Sequence, residues 1–381
     1  MRKFLILIAV LLPVARAATC TSSLSSGTYG TAQGASGNAV EYVVSMPEPA
    51  SCYNGTMILF AHGFVPPGSS PEAWKSQFAL ADGTSLPALV NSLGFGFAAS
   101  GYSKEGLAIL QGMQDTAALT TVIQGLSISV NKYFVTGASE GGLVATKLLE
   151  GSALYKGGLA VCGPLGDFQK QIDYFGDVRV LFDYFFPGVL TSAGGNAVTI
   201  PPGLIANWAT VYEPAVVKAL NANPLATLQL LNTAGIPTGI NFANAANAIT
   251  GALSYNVLAT TDAAATLGGN PYDNIGRVYS GSFNDTRLNA MVARFAAVSP
   301  APANILLYDT SGLLGDPLVT LHTLSDPIVP YWQETLYASK VQAENRSSEL
   351  SQIPVVSYGH CNVSSTDAEA ALALLLLKAD L

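Results

Sequence analysis

The sequence predicts an α/β fold, a mostly parallel sheet covered by helices, and three observations carry that prediction. Short apolar runs rich in β-branched and aromatic residues alternate with helical stretches up to about residue 166, and the alternation returns towards the C-terminus. Several of these runs are continuously apolar, as expected of strands buried on both faces. From about 167 to 300 the alternation stops, and helical stretches broken by Gly, Pro and Asn predict a large, mainly helical lid insertion at the sheet edge.

Taken in order, the chain opens with Met1-Arg2-Lys3, an apolar run from Phe4 to Leu12 and Ala15-Arg16-Ala17. Basic, apolar and small residues in that order predict a secretory signal peptide over 1–17, placing the mature protein in the extracellular or periplasmic space. The run is too short to span a bilayer, and no later run is long enough, so no transmembrane segment is expected. A Ser-, Gly- and Thr-rich segment over 18–37 precedes a strand at 39–44 and a buried strand at 56–61, which ends at His62-Gly63-Phe64. A helix over 73–92, a strand over 94–100, a helix over 116–126, a strand from Tyr133 and another over 157–163 complete the first block of the core, 18–166. The insertion over 167–300 carries helical stretches at 214–220 and 225–231 and an aromatic cluster of Tyr174, Phe175, Phe182, Tyr184, Phe185 and Phe186. The second block of the core, 301–381, offers strands at 304–308, 318–322 and 354–358, with helices at 332–342 and 367–378.

With 49% apolar and 11% charged residues, burying a large core is not a difficulty. A formal net charge of −8 without any Lys/Arg cluster excludes a nucleic-acid partner. The three histidines are scattered, so neither a metal nor an organic cofactor is implied. Export permits disulfides, and four cysteines allow three pairings. We favour Cys20 with Cys52, tying down the new N-terminus, and Cys162 with Cys361, near the active face. Asn54, Asn284, Asn345 and Asn362 begin glycosylation sequons, meaningful only in a eukaryotic host. Oligomeric state is not legible.

The chemistry centres on Gly137-Ala138-Ser139-Glu140-Gly141, with Tyr133 to Thr136 before it and an Ala/Leu-rich stretch after it. Strand, tight turn and helix in that order form a nucleophile elbow, which stands a serine hydroxyl clear of the sheet. A serine needs a base, nearly always a histidine oriented by a carboxylate. His62 lies upstream in a loop and His322 only four residues before Asp326, so His360, after the last strand, is the candidate base. Asp326, just past a strand end, is the candidate acid, with Asp316 and Asp309 as fallbacks. The aromatic residues Tyr184, Phe185 and Phe186, together with His62, are candidate substrate contacts.

These residues, Gly137 to Gly142, His62-Gly63, His322 to Pro330 and Gly359-His360, resemble the α/β-hydrolase superfamily, whose branches include esterases, lipases and prolyl-oligopeptidase-like enzymes. The resemblance covers the chain after the signal peptide, apart from the insertion. It implies a triad of Ser139, Asp326 and His360 and an oxyanion hole from the backbone amides of Glu140 and Phe64. It implies cleavage of carboxylic esters, small or polymeric, with a peptidase or a catalytically silent binding protein as alternatives. The His360-Cys361 pair is similar to tannases and feruloyl esterases, in which that cysteine is bonded to one just before the nucleophile. Here Ala138 holds that position.

Overall fold

The computed structural model describes residues 20–30 and 39–380. The expected signal peptide and its cleavage point lie outside them. One sheet of eight strands organises the chain: β1 (Thr21–Gly30), β2 (Ala39–Glu48), β3 (Thr56–Ala61), β4 (Gly96–Ser100), β5 (Lys132–Ala138), β6 (Tyr155–Val161), β7 (Leu318–Ser325) and β8 (Leu350–Tyr358). Their spatial order is β1-β2-β4-β3-β5-β6-β7-β8. The strands from β4 to β8 run parallel, while β2 is antiparallel to both β1 and β4.

The helices are α1 (Leu86–Ser92), α2 (Ile109–Gly125), α3 (Glu140–Gly151), α4 (Phe168–Phe185), α5 (Pro202–Ala206), α6 (Glu213–Ala222) and α7 (Pro224–Ala234). They continue with α8 (Ala245–Leu267), α9 (Asp285–Met291), α10 (Ala301–Asn304), α11 (Trp332–Ala343) and α12 (Ser365–Lys378). None of the described helices is long and apolar enough to cross a membrane.

Period-two alternation along the strands feeds two cores. Met57, Leu59 and Ala61 of β3 pack on one face with Leu119 and Ile123 of α2 and Leu143 and Val144 of α3. Ile58 and Phe60 point the other way, towards Val90 of α1 and Leu372 and Leu375 of α12. A third apolar cluster belongs to the segment between β6 and β7, where Phe182, Trp208, Leu230, Ile249 and Leu253 are buried together. The helical character expected between the strand blocks is therefore present and has its own core.

Three expectations need correction, and one long helix had no counterpart among them. The Ser/Gly/Thr-rich segment contains strand β1, whose order comes from pairing with β2 along its whole length and from the Cys20–Cys52 disulfide rather than from hydrophobicity. The stretch at 304–308 is not a strand: α10 runs into a 3₁₀ turn at Ile305–Tyr308. Ile305 and Tyr308, three apart, are buried while Leu306 and Leu307 face out, the period of a 3₁₀ turn. The helix expected over 73–92 is split into a 3₁₀ turn at Ala73–Phe78 and α1, which starts where the Ser85 side chain accepts from the Ala88 amide. Finally, α8 grows from Ala- and Asn-rich sequence that carried no clear helical stripe. The poor helix propensity of its asparagines is overridden by burial of Ala248, Ile249, Ala252, Leu253 and Val257.

Candidate active site

The elbow is built by steric necessity. Ser139 sits between β5 and α3 with φ 57° and ψ −125°, a backbone conformation that costs a non-glycine residue energy and persists only where the surroundings fix it. Its amide donates to Val161 O at 2.8 Å, pinning the turn to β6. A Cβ on Gly141 would lie 2.0 Å from Ala61 O, and one on Gly137 would lie 2.0 Å from Gly141 O, so both must be glycine for strand and helix to approach this closely.

Three strand ends then converge. Ser139 follows β5, Asp326 follows β7 and His360 follows β8, all at the carboxyl edge of the sheet. His360 Nε2 lies 2.8 Å from Ser139 Oγ, and its Nδ1 lies 2.7 Å from Asp326 Oδ2. The other carboxylate oxygen of Asp326 accepts the amides of Ile328 and Val329 at 2.8 and 3.0 Å. Burial by itself would raise the Asp326 carboxyl. The imidazoles of His360 and His322 outweigh it and hold the group well below the usual carboxylate range. Cys361 is bonded to Cys162, just beyond β6, which ties the residue next to His360 to a strand end two places away in the sheet; Cys20 pairs with Cys52. Among the described residues, Cys162, His360 and Cys361 lie close enough to suggest a metal, but both sulfurs are spent in the disulfide.

The loop after β3 closes against the serine: a Cβ on Gly63 would be 3.0 Å from Ser139 Cβ. Gln77 holds this loop by accepting the Gly63 amide at 2.6 Å. Glu140 opens α3, where first-turn amides have no partner within the helix. Its side chain is turned away and buried, accepting the Ala108 amide at 2.7 Å. Burial pushes this carboxyl up to about 8, partly opposed by the Ala108 hydrogen bond and Lys104.

The structure also brings in a residue that sequence reasoning missed. Tyr255, from the middle of α8, comes close enough to Ser139 for the serine side chain to bear on its phenol. Its ring is held between Phe175 of α4, at 5.0 Å with planes 9° apart, and Phe64, at 5.4 Å. Burial first, then Asp326 and Glu140, raise the Tyr255 phenol against a smaller opposing effect of Ser139, so it stays protonated. No motif surrounds Tyr255, and only packing of α8 could reveal it.

The candidate substrate contacts fare differently. His62 is 2% exposed, stacked on Tyr102 at 3.8 Å with its Nδ1 on Gly63 O at 2.7 Å, and burial pushes its imidazole down to about 4. It shapes the loop from beneath instead of facing a substrate. Phe186 is likewise buried, stacked on Phe182, and Tyr184 and Phe185 pack half-buried on the same apolar cluster. Tyr174, from that aromatic run, acts as a brace: its hydroxyl donates to Pro327 O at 2.7 Å and supports the loop that carries Asp326. Gln171 does the same at Ile328 O, 2.8 Å away.

No family model and no curated protein matches the chain. Among solved structures, it is similar to a rice cell wall degrading esterase, LipA, from Xanthomonas oryzae, with 15% identity over 95% of this chain and 89% of that one, at a TM-score of 0.47. It is also similar to an acylaminoacyl peptidase from Pyrococcus horikoshii, with 12% identity over 94% of this chain but only 41% of that one, at a TM-score of 0.45. Such distant likenesses add nothing to the strand order and the elbow seen directly. A parallel sheet in the order β1-β2-β4-β3-β5-β6-β7-β8, with a serine elbow after β5 and helices on both faces, gives this chain the α/β-hydrolase fold.

Proposed function

We propose that the protein is a secreted serine hydrolase that cleaves carboxylic esters through an acyl-enzyme. The observation that carries this reading is the unbroken chain from Ser139 Oγ to His360 Nε2, and from His360 Nδ1 to Asp326, at 2.8 and 2.7 Å. His360 takes the proton as Ser139 attacks the carbonyl carbon, and returns it to the leaving alkoxide. Asp326 fixes the tautomer and stabilises the imidazolium. Water then attacks the acyl-enzyme, with His360 again as base, and Ser139 is restored. The Glu140 and Phe64 amides meet the oxyanion, and each such donor is typically worth about 3 kcal/mol of barrier lowering. We read the segment 167–300 as a lid, a reading supported by the contact of its Tyr255 with Phe64, in the loop beside Ser139. Two disulfides fit an oxidising compartment, which supports export.

The test is labelling of the purified protein by a fluorophosphonate, together with rates on p-nitrophenyl and feruloyl esters and on peptide p-nitroanilides. Labelling and ester hydrolysis that both vanish in Ser139→Ala are expected. Activity that survives the substitution removes the proposed nucleophile, and turnover of peptides alone makes the protein a peptidase.

A further inference from the structure

Behind the acid of the triad lies a second histidine whose surroundings leave it one protonation state. His322, within β7, is 1% exposed. Its Nε2 faces Val329 O at 2.8 Å and Asp326 Oδ2 at 3.5 Å, and its Nδ1 faces Glu334 Oε1 at 3.2 Å. All three are oxygens that accept. A carbonyl can only accept, so Nε2 must carry hydrogen.

The remaining question is which partner owns the proton between Nδ1 and Glu334. The second oxygen of Glu334 accepts from Thr320 Oγ1 at 2.5 Å and Gln352 Nε2 at 2.6 Å, which leaves its first oxygen to face the imidazole. An imidazole is also the stronger base of the two. The proton therefore belongs to Nδ1 and the ring is a cation. Burial works against that charge, but the hydrogen bonds to Asp326 and Glu334 override it and push the imidazole up to about 10.

We propose that His322 is a positioning residue of the Ser139-His360-Asp326 triad: a permanent imidazolium, clamped by Glu334, that fixes Asp326 and keeps the enzyme active in more acidic solution. The proposal rests on the hydrolase reading. Its physical basis is that Asp326 Oδ2 is shared between two imidazoles, His360 on one side and His322 on the other. A positive charge at His322 offsets part of the carboxylate's field and opposes a second positive charge nearby, so its removal should show in the pH dependence of the reaction. The titratable groups around this pair are few. Tyr331 meets the His322 ring edge-on at 5.7 Å, and Tyr174, Tyr255 and Tyr358 surround Asp326. Burial raises each of these four phenols, so all remain neutral and none competes with His322 as the counter-charge to Asp326.

The test has two arms on the full-length protein. In the first, ring nitrogens of ¹⁵N-histidine-labelled protein are followed by NMR from pH 5 to 9; only three histidines exist to assign. One imidazole should show both nitrogens protonated throughout and should disappear in His322→Gln. A bare ring nitrogen on His322 near neutral pH overturns the proposal, and this arm needs no known substrate. In the second, the pH dependence of kcat/KM is compared between wild type and His322→Gln. The acid limb should move up by roughly 0.5–1 pH unit, the scale expected for loss of a nearby unit charge in a partly screened interior. A limb that stays in place while the rate falls makes His322 merely structural and overturns the tuning role. Failure of the hydrolase reading has a separate signature, activity retained in Ser139→Ala, which leaves the NMR result standing.

Discussion

The ring of Tyr255 lies 5.4 Å from that of Phe64, joining the middle of α8 to the loop after β3 beside Ser139. This contact brings the segment between β6 and β7 to the reacting atoms. Phe64 is the residue whose amide we propose for the oxyanion, and the tyrosine packs on it with planes tilted by 40°. The Lys104–Asp262 ion pair at 2.8 Å and the Leu107 amide on Asp262 at 2.7 Å hold α8 in that position.

Tyr255→Phe keeps the rings stacked and removes only the hydroxyl. It should lower kcat about 10- to 100-fold with KM nearly unchanged, the pattern of a donor used mainly in the transition state. Steady-state kinetics on a p-nitrophenyl ester check this; a change confined to KM would place the hydroxyl in ground-state binding instead.

Tyr174→Phe should act at one remove. The hydroxyl braces Pro327 O, and without it the loop bearing Asp326 loses one buried hydrogen bond, worth about 1 kcal/mol. A denaturation midpoint shifted by that amount, with kcat reduced severalfold and fluorophosphonate labelling slowed in parallel, is the expected outcome.

Glu140→Gln should flatten the pH dependence of stability. The folded carboxyl titrates at about 8, against an ordinary value near 4.5, so the folded state holds a proton that the unfolded chain releases. Stability from this group is complete below about 4.5 and is lost as pH rises through 8. Wild type should lose roughly 2–4 kcal/mol more than the variant between pH 5 and 9 in urea titrations. The amide oxygen of glutamine can still accept the Ala108 N–H.

The Cys162–Cys361 bond links positions 199 residues apart. Replacing both cysteines with serine should cost about 2–5 kcal/mol, because the unfolded chain regains the freedom of a very long loop. It should also slow turnover, since the residue beside His360 is no longer tied to the end of β6. Thermal unfolding and kcat, measured on the same preparation, read the two effects separately.

Local pattern alone determined the sheet-and-helix alternation, the elbow and the placing of Ser139, Asp326 and His360 just past strand ends. Each is written in contiguous residues: an apolar run, a Gly-X-Ser-X-Gly turn, an aspartate or histidine just past a strand. Where sequence reading failed, the deciding forces were not local. Strand β1 exists because ten residues find partners on β2, and the 304–308 run coils because only every third residue meets the core. Tyr255 carries no motif, and the motif that holds His322 does not say what its ring faces. A phenol reaches Ser139 only when α8 packs over the sheet, and an imidazole meets Asp326, Glu334 and the Val329 carbonyl only when folding surrounds it with oxygens.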